Sequence, residues 1–291
     1  MVHHAFCAGR CDGACLSNME RPTAASWFRA RRAFLYCLNV LGGVAVLLTG
    51  STTAVQAQKR AAIEQIKAGI VGVGTFQRTR TPQFRFLGTG FAVDDGRSIA
   101  TNAHVIAQLL GTGSDPEVLA ILLPSAESQQ TTIVEVTRSA VDDEHDLALL
   151  KLKTGRLPAL ALCADDVVKD GDEFLFTGFP IGAVLGPFAA THRAMVASVT
   201  PIVIPLPTSE RLEPSVVRRL QRGSFPVYQL DGTAYPGSSG SPLYDGATGE
   251  VVGVVNMVFV KGLKENALAQ PSGISYAIPV RHLRELVTKV R

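Results

Sequence analysis

Short apolar runs rich in Val, Ile, Leu and Phe, each closed off by a cluster of Gly, Pro, Asp or Ser, fill the sequence from about residue 68 onward. Many short strand-like runs at such spacing cannot bury themselves as helices and read as an all-β barrel or sandwich. The runs are Ile70–Phe76, Phe86–Val93, Ser98–Thr101, Val118–Leu123, Thr132–Thr137, Asp146–Lys151, Glu173–Gly178, Met195–Thr200, Val227–Leu230, Pro242–Tyr244, Val251–Phe259 and Ser275–Ile278. A dip in hydrophobicity at Ala164–Gly171 divides them six and six. The expected fold is therefore all-β: two six-stranded antiparallel β-barrels, one over 58–165 and one over 166–291. Helical spacing is confined to Gln58–Ala68, Ala103–Leu110 and a closing helix at Val280–Val290, where Val280, Leu283, Leu286, Val287 and Val290 share a face. The proline-rich, charged stretch Pro201–Pro226 reads as an exposed insertion.

The amino-terminal region is of another kind. Arg29, Arg31 and Arg32 precede an apolar run over 33–49, and Val55-Gln56-Ala57 ends the polar stretch that follows. Basic region, apolar core and a small-residue site are the parts of an export signal, which assigns 1–57 to a signal cleaved after Ala57. The alternative is an uncleaved membrane anchor, the run being slightly shorter than the roughly 20 residues of a spanning helix. Ala30-Arg31-Arg32-Ala33-Phe34-Leu35 resembles the twin-arginine export pattern. A translation start at Met19 gives the basic part an ordinary length. Residues 1–57 contain five arginines, no lysine and two acids, so residues 58–291 hold 23 basic and 23 acidic side chains. A neutral chain without a basic stripe excludes nucleic acid as the expected partner.

Cysteine arithmetic excludes a disulfide framework. Cys7, Cys11 and Cys15 fit no zinc spacing, Cys37 lies in the signal, and Cys163 is left alone as a small buried hydrophobe. Asp142, Asp143 and Glu144 form an acidic turn without calcium-loop spacing, so it reads as solvated, and neither metal nor cofactor is expected. His192 and His282 have no motif around them and default to solvated positions.

Three local patterns carry chemistry together. Pro236-Gly237-Ser238-Ser239-Gly240-Ser241-Pro242 is a glycine-flanked turn that can present the Ser239 hydroxyl while the amides of Gly237 and Ser239, with Ser238 between them, converge as an oxyanion hole. Thr101-Asn102-Ala103-His104-Val105 places a histidine just after a strand, and His145-Asp146-Leu147-Ala148-Leu149-Leu150 places an aspartate at the start of another. A serine hydroxyl needs a base, and an imidazole serves when a carboxylate fixes its tautomer. His145 alternates to the face opposite Asp146, which leaves His104 as the base. The order His104, Asp146, Ser239 is the chymotrypsin order.

These motifs resemble the protease domain of the HtrA/Deg-like serine endopeptidases, of trypsin-like fold. Gly88-Thr89-Gly90-Phe91 leading to His104 is similar to the family's histidine region, and Asp146 to Lys151 to its aspartate region. Gly171-Asp172 with Gly178-Phe179-Pro180-Ile181-Gly182, Asp231 to Gly240, and Gly273 to Pro279 match its later motifs. The resemblance implies a His104-Asp146-Ser239 triad, protein or peptide substrates, a periplasmic or secreted location, membrane contact only through the signal, and trimeric assembly. A peptide-binding PDZ module after the last helix, common in the family, is not expected here. Ser238 stands where Asn or Asp is usual, and Ser241 replaces a second glycine, as in glutamyl endopeptidase-like relatives. The primary pocket is expected from Thr233, Val254, Val255 and Asn256, with cleavage after small or medium apolar residues, because Thr233 takes the place of the acid that selects Arg or Lys. Glutamyl specificity and a non-catalytic peptide-binding scaffold are the alternatives.

Overall fold

The computed structural model describes residues 55–107, 115–124, 131–165, 168–182, 186–201, 225–256 and 273–291. The export-type segment through residue 54 and most of the 201–226 stretch lie outside them. Helix α1 spans 55–69, with Val55-Gln56-Ala57 forming its first turn, and buries Ala62 and Ile66 at helical spacing. Strands β1 (Ile70–Phe76), β2 (Phe84–Val93), β3 (Ser98–Asn102), β4 (Val118–Pro124), β5 (Thr131–Asp142) and β6 (Leu147–Leu152) close a first antiparallel barrel in the order β1-β2-β3-β6-β5-β4. A one-turn helix α2 (Ala103–Ile106) interrupts it after β3.

The second barrel repeats that order. Strands β7 (Glu173–Gly178), β8 (Ala190–Pro201), β9 (Pro226–Asp231), β10 (Pro242–Tyr244), β11 (Val251–Asn256) and β12 (Ile274–Pro279) run β7-β8-β9-β12-β11-β10, and α3 (Val280–Val290) closes the chain. Two closed six-stranded barrels are thus the architecture, and the Ala164–Gly171 dip falls in the connection between them. Two strands outgrow their apolar signal. β5 and β8 extend several residues beyond Thr132–Thr137 and Met195–Thr200 because half of each faces outward with polar or charged side chains. Each also carries a register shift, between Arg138 and Ala140 and between Val196 and Ser198.

Each barrel has its own core. Val71, Val73, Ile99, Ile121 and Leu150 fill the first, and Phe176, Val196, Leu230, Leu243 and Val255 the second. A third cluster joins Phe91 and Leu149 of the first barrel to Phe179, Tyr244 and Val254 of the second, and to Ile66 of α1 and Leu283, Leu286 and Val287 of α3. Both helices therefore act as clamps across the two barrels.

His282 corrects an expectation. It is only 8% exposed, on the packed face of α3, where its ring stacks on His145 with centroids 3.7 Å apart and Phe225 edge-on to both. His192 is likewise partly buried and stacked on Phe176 rather than solvated. Asp142 accepts the His145 Nδ1–H at 2.7 Å and the amides of Glu144 and His145, so the acidic turn is internally bonded. Burial would raise the Asp142 carboxyl, but hydrogen bonds from His145 and Glu144 outweigh it and hold the group below its ordinary range.

Burial, with His145 and Arg281 adding to it against the opposing pull of Asp142, pushes His282 down to about 4. The unfolded chain then binds a proton on this ring below pH 6.5 that the folded chain refuses until about pH 4, so stability is full above pH 6.5 and falls as the pH drops through that window. By pH 5 this amounts to roughly 2 kcal/mol, or about 4–8 °C in Tm. His282→Phe, which keeps the stack, is expected to flatten the fall in Tm between pH 7 and pH 5. A variant whose Tm declines as steeply as the parent's would remove His282 as its source.

Candidate active site

Asp146 is the fixed point of the first barrel's contribution. It precedes β6 in a left-handed conformation, φ 53°, which short polar side chains tolerate better than others. Its backbone carbonyl accepts the Ala103 amide at 3.1 Å and the Asn102 side-chain amide at 3.0 Å, tying it to the β3–α2 junction. Its carboxylate turns back onto the same junction. Oδ1 accepts the backbone N–H of His104 at 2.8 Å, and Oδ2 lies 2.6 Å from His104 Nδ1. A carboxylate can only accept, so Nδ1 carries the proton and the Nε2 lone pair is left free. Asp146 is 6% exposed, so this pairing acts with little screening by water.

The second barrel supplies a third partner. Asn256, at the end of β11 and 0% exposed, donates its side-chain amide to Asp146 Oδ2 at 2.6 Å. The sequence reading placed Asn256 on the wall of a substrate pocket; its side chain instead orients the aspartate. A fully buried amide at the end of an apolar strand, Val251-Val252-Gly253-Val254-Val255-Asn256, was the signal available, since a buried polar group needs a partner. His145 is bonded to Asp142, so it does not share Asp146 with His104.

The Ser239 turn is built between the barrels. Ser239 is 6% exposed, and its hydroxyl has no hydrogen-bond partner among the described residues. Its carbonyl accepts the Thr89 amide of β2 at 2.8 Å, and the Thr89 carbonyl in turn accepts Thr101 Oγ1 at 2.8 Å, three residues before His104. On its other side, the Gly240 amide donates to the Val255 carbonyl and the Val255 amide to Ser241, each at 2.9 Å. Val255 thus grips the serine turn while the next residue, Asn256, grips Asp146. Gly240 sits at φ +87° with room for nothing more: a Cβ there would lie 2.0 Å from the Thr89 carbonyl oxygen.

The peptide groups of this turn alternate. The carbonyl of Pro236 accepts Ile181 N–H at 2.6 Å, that of Gly237 accepts the Thr89 hydroxyl at 2.7 Å, and that of Ser238 accepts Ser241 N–H at 3.0 Å. The Ser238 amide donates to Tyr235 and that of Gly240 to Val255. The amides of Gly237 and Ser239 alone have no acceptor among the described residues. Each opposes, across its own peptide plane, a carbonyl that is tied down, so both N–H vectors are fixed. Gly237 is required here, since its φ is +98° and a Cβ would approach the Phe179 carbonyl oxygen to 2.4 Å. Ile181, which holds Pro236, has φ 48°, an outlier for a β-branched residue of the kind that collects at functional sites.

Of the expected pocket residues, Thr233 is partly exposed, whereas Val254, Val255 and Asn256 have no accessible surface. Val254 belongs to the inter-barrel core and Val255 to that of the second barrel, so neither side chain presents a wall to solvent. Among the described residues no cluster of His, Cys, Asp and Glu could hold a metal ion. The arrangement offers a histidine with a fixed tautomer, a serine in a glycine-shaped turn, and beside it two peptide N–H groups without an acceptor among the described residues. Acyl transfer through a serine nucleophile needs these groups.

Comparisons with known proteins bear on the family and the fold. A family model described as a trypsin-like peptidase domain matches residues 88–254. A probable periplasmic serine endoprotease DegP-like of Halomonas elongata is 30% identical over 209 residues, covering 71% of this chain and 35% of that protein. The mitochondrial serine protease HTRA2 of Bos taurus is 29% identical over 201 residues, covering 69% of this chain and 35% of the relative. The chain therefore spans about a third of the length of these curated relatives. In fold it is similar to the crystal structure of the serine endoprotease from Yersinia pestis, with TM-score 0.55 and 22% identity over 80% of this chain and 66% of the other. It is also similar to an inactive mutant form of Rv3671c from M. tuberculosis H37Rv, with TM-score 0.53 and 19% identity over 79% and 90% of the two chains.

Proposed function

This chain belongs to the trypsin-like peptidase family, and from that membership we propose that it is a serine endopeptidase hydrolysing protein substrates through His104, Asp146 and Ser239. The observation that carries the reading is the turn from Pro236 to Ser239, where the amides of Gly237 and Ser239 have no acceptor among the described residues. Ser239 Oγ attacks the scissile carbonyl carbon while His104 Nε2 takes its proton. The carbonyl oxygen becomes an oxyanion bonded by the amides of Gly237 and Ser239, donors that need no reorganisation when the charge develops. Asp146, held by Asn256, stabilises the imidazolium. His104 then protonates the leaving amine, the C–N bond breaks, and water repeats the sequence on the acyl-enzyme.

For specificity we propose cleavage after small or medium apolar residues such as Ala, Val or Leu. Thr233 and Ala234, the uncharged residues leading into the turn, supply no carboxylate for a basic side chain. We place the enzyme in the periplasm: the 29–57 stretch has the parts of an export signal, and the DegP-like relatives bear that location in their names. Digestion of a peptide library by the purified chain tests the specificity and the endopeptidase reading together. A profile dominated by Ala, Val and Leu before the cut is expected. Dominance of Glu, Arg or Lys would overturn the specificity, and absence of cleavage would overturn the enzyme reading.

A further inference from the structure

Thr89 lies on β2 of the first barrel, with no accessible surface, and every polar atom it has is engaged near the serine turn. Its hydroxyl donates to the Gly237 carbonyl at 2.7 Å and accepts the Phe179 amide at 3.1 Å; its amide donates to the Ser239 carbonyl at 2.8 Å. Its carbonyl accepts Thr101 Oγ1 at 2.8 Å. One residue, through its hydroxyl and its two backbone groups, therefore couples the Phe179–Gly182 segment, the Ser239 turn and the strand leading to His104.

Its position within the turn matters more than the number of its bonds. The Gly237–Ser238 peptide lies between the two that bear the free amides. Its N–H is held locally by Tyr235, two residues before Gly237, while its C=O is held by Thr89 from the opposite barrel. Gly237 has no Cβ to resist rotation about its own backbone bonds. Without the hydroxyl, the half-buried Gly237 carbonyl and the buried Phe179 amide would each lose the partner they have here, a penalty the turn can relieve by rotating this peptide plane. That rotation would swing the flanking amides away from a common point. Loss of Phe179 N–H bonding would also loosen the segment from which Ile181 holds the Pro236 carbonyl.

We infer that Thr89 is the positioning residue of the oxyanion site: its hydroxyl, reaching across from the first barrel, sets the aim of the Gly237 and Ser239 amides. The inference rests on reading those amides as oxyanion donors. Thr89→Val keeps the shape and removes the hydroxyl, and is expected to lower kcat by about 10²–10³, as when an oxyanion donor is lost, with KM changed less than about threefold. Turnover is expressed per site titrated to completion with a fluorophosphonate, which discounts unfolded protein. Affinity for a peptide aldehyde, whose adduct is tetrahedral, should fall in parallel with kcat while affinity for a product-like peptide stays. Thr89→Ser, which retains the donor, should restore kcat to within a few-fold of the parent. A valine variant with parental kcat per titrated site, or a serine variant as impaired as valine, overturns the inference. Should the valine variant fail to fold, Thr89→Cys, whose thiol is a weak donor, reads the same comparison against serine. A parent chain that neither cleaves nor labels would instead refute the endopeptidase reading itself.

Discussion

Replacing Ser239 with alanine is expected to lower kcat by about five to six orders of magnitude, leaving a residual rate roughly 10³ above water from the two amides and substrate binding. The size of the effect follows from the division of labour in the site. Without Ser239 Oγ, His104 can at best activate water, which is not held at the position of attack, and the covalent intermediate that splits one difficult step into two is lost. The fold should not notice the change. The hydroxyl makes no hydrogen bond among the described residues, and the residue is held by its backbone through Thr89, so Tm should stay within about a degree of the parent. Covalent labelling by a fluorophosphonate, read by intact mass, should occur once in the parent and not in the variant. Equal labelling of the two proteins, or retention of a hundredth of parental turnover, would remove Ser239 as the nucleophile.

The second large effect is expected at Asp146→Asn, about 10⁴ in kcat, by the general behaviour of serine–histidine–aspartate sites when the acid becomes an amide. Here the hydrogen bonds explain why no rotamer escapes the loss. Every side-chain partner of Asp146 is a donor: the His104 amide at Oδ1, and His104 Nδ1 and the Asn256 amide at Oδ2. An asparagine must put its NH₂ on one side or the other. Facing Oδ1's partner, it opposes a backbone N–H and breaks the anchor of the α2 turn. Facing Oδ2's partners, it opposes the Asn256 amide and requires His104 Nδ1 to accept, which moves the imidazole proton to Nε2 and leaves no base for Ser239. The imidazole proton resonances near the site would report the altered tautomer directly. A variant with turnover within tenfold of the parent would show that Asp146 does not set the histidine's tautomer.

What the sequence disclosed and what it withheld differ in physical kind. Strand positions, the division into two barrels, the one-sided α3 and the three chemical motifs are local: each is written in a few neighbouring residues by periodicity, by a glycine where the chain turns, or by a polar residue at a strand end. The roles of Asn256, Thr89 and His282 depend on partners far along the chain. Asn256 meets Asp146 across 110 residues and Thr89 meets Gly237 across 148. Nothing in a run such as Gly88-Thr89-Gly90 says which way its hydroxyl will point once two barrels close. His282 has no motif around it and lies outside the aliphatic stripe of α3, yet its ring extends the buried face by stacking on His145. The lengths of β5 and β8 escaped for another reason: outward-facing polar positions carry no hydrophobic signal, although the backbone ladder continues through them.

Strand β11 delivers two adjacent residues to two different parts of the site, Val255 to the serine turn and Asn256 to the acid. In mechanical terms this makes the strand a shared baseline. A displacement of β11 therefore acts on the serine turn through Val255 and on the carboxylate through Asn256 together, while Asp146 stays anchored to the first barrel by its bonds to Asn102, Ala103 and His104. Sliding of the first barrel past the second is opposed at the serine by the pair of Thr89 bonds to Gly237 and Ser239. Thr89 thus works beside the Asn256–Asp146 bond and the two helix clamps, tying the serine to the first barrel at the point nearest the reaction although it is not itself part of the triad.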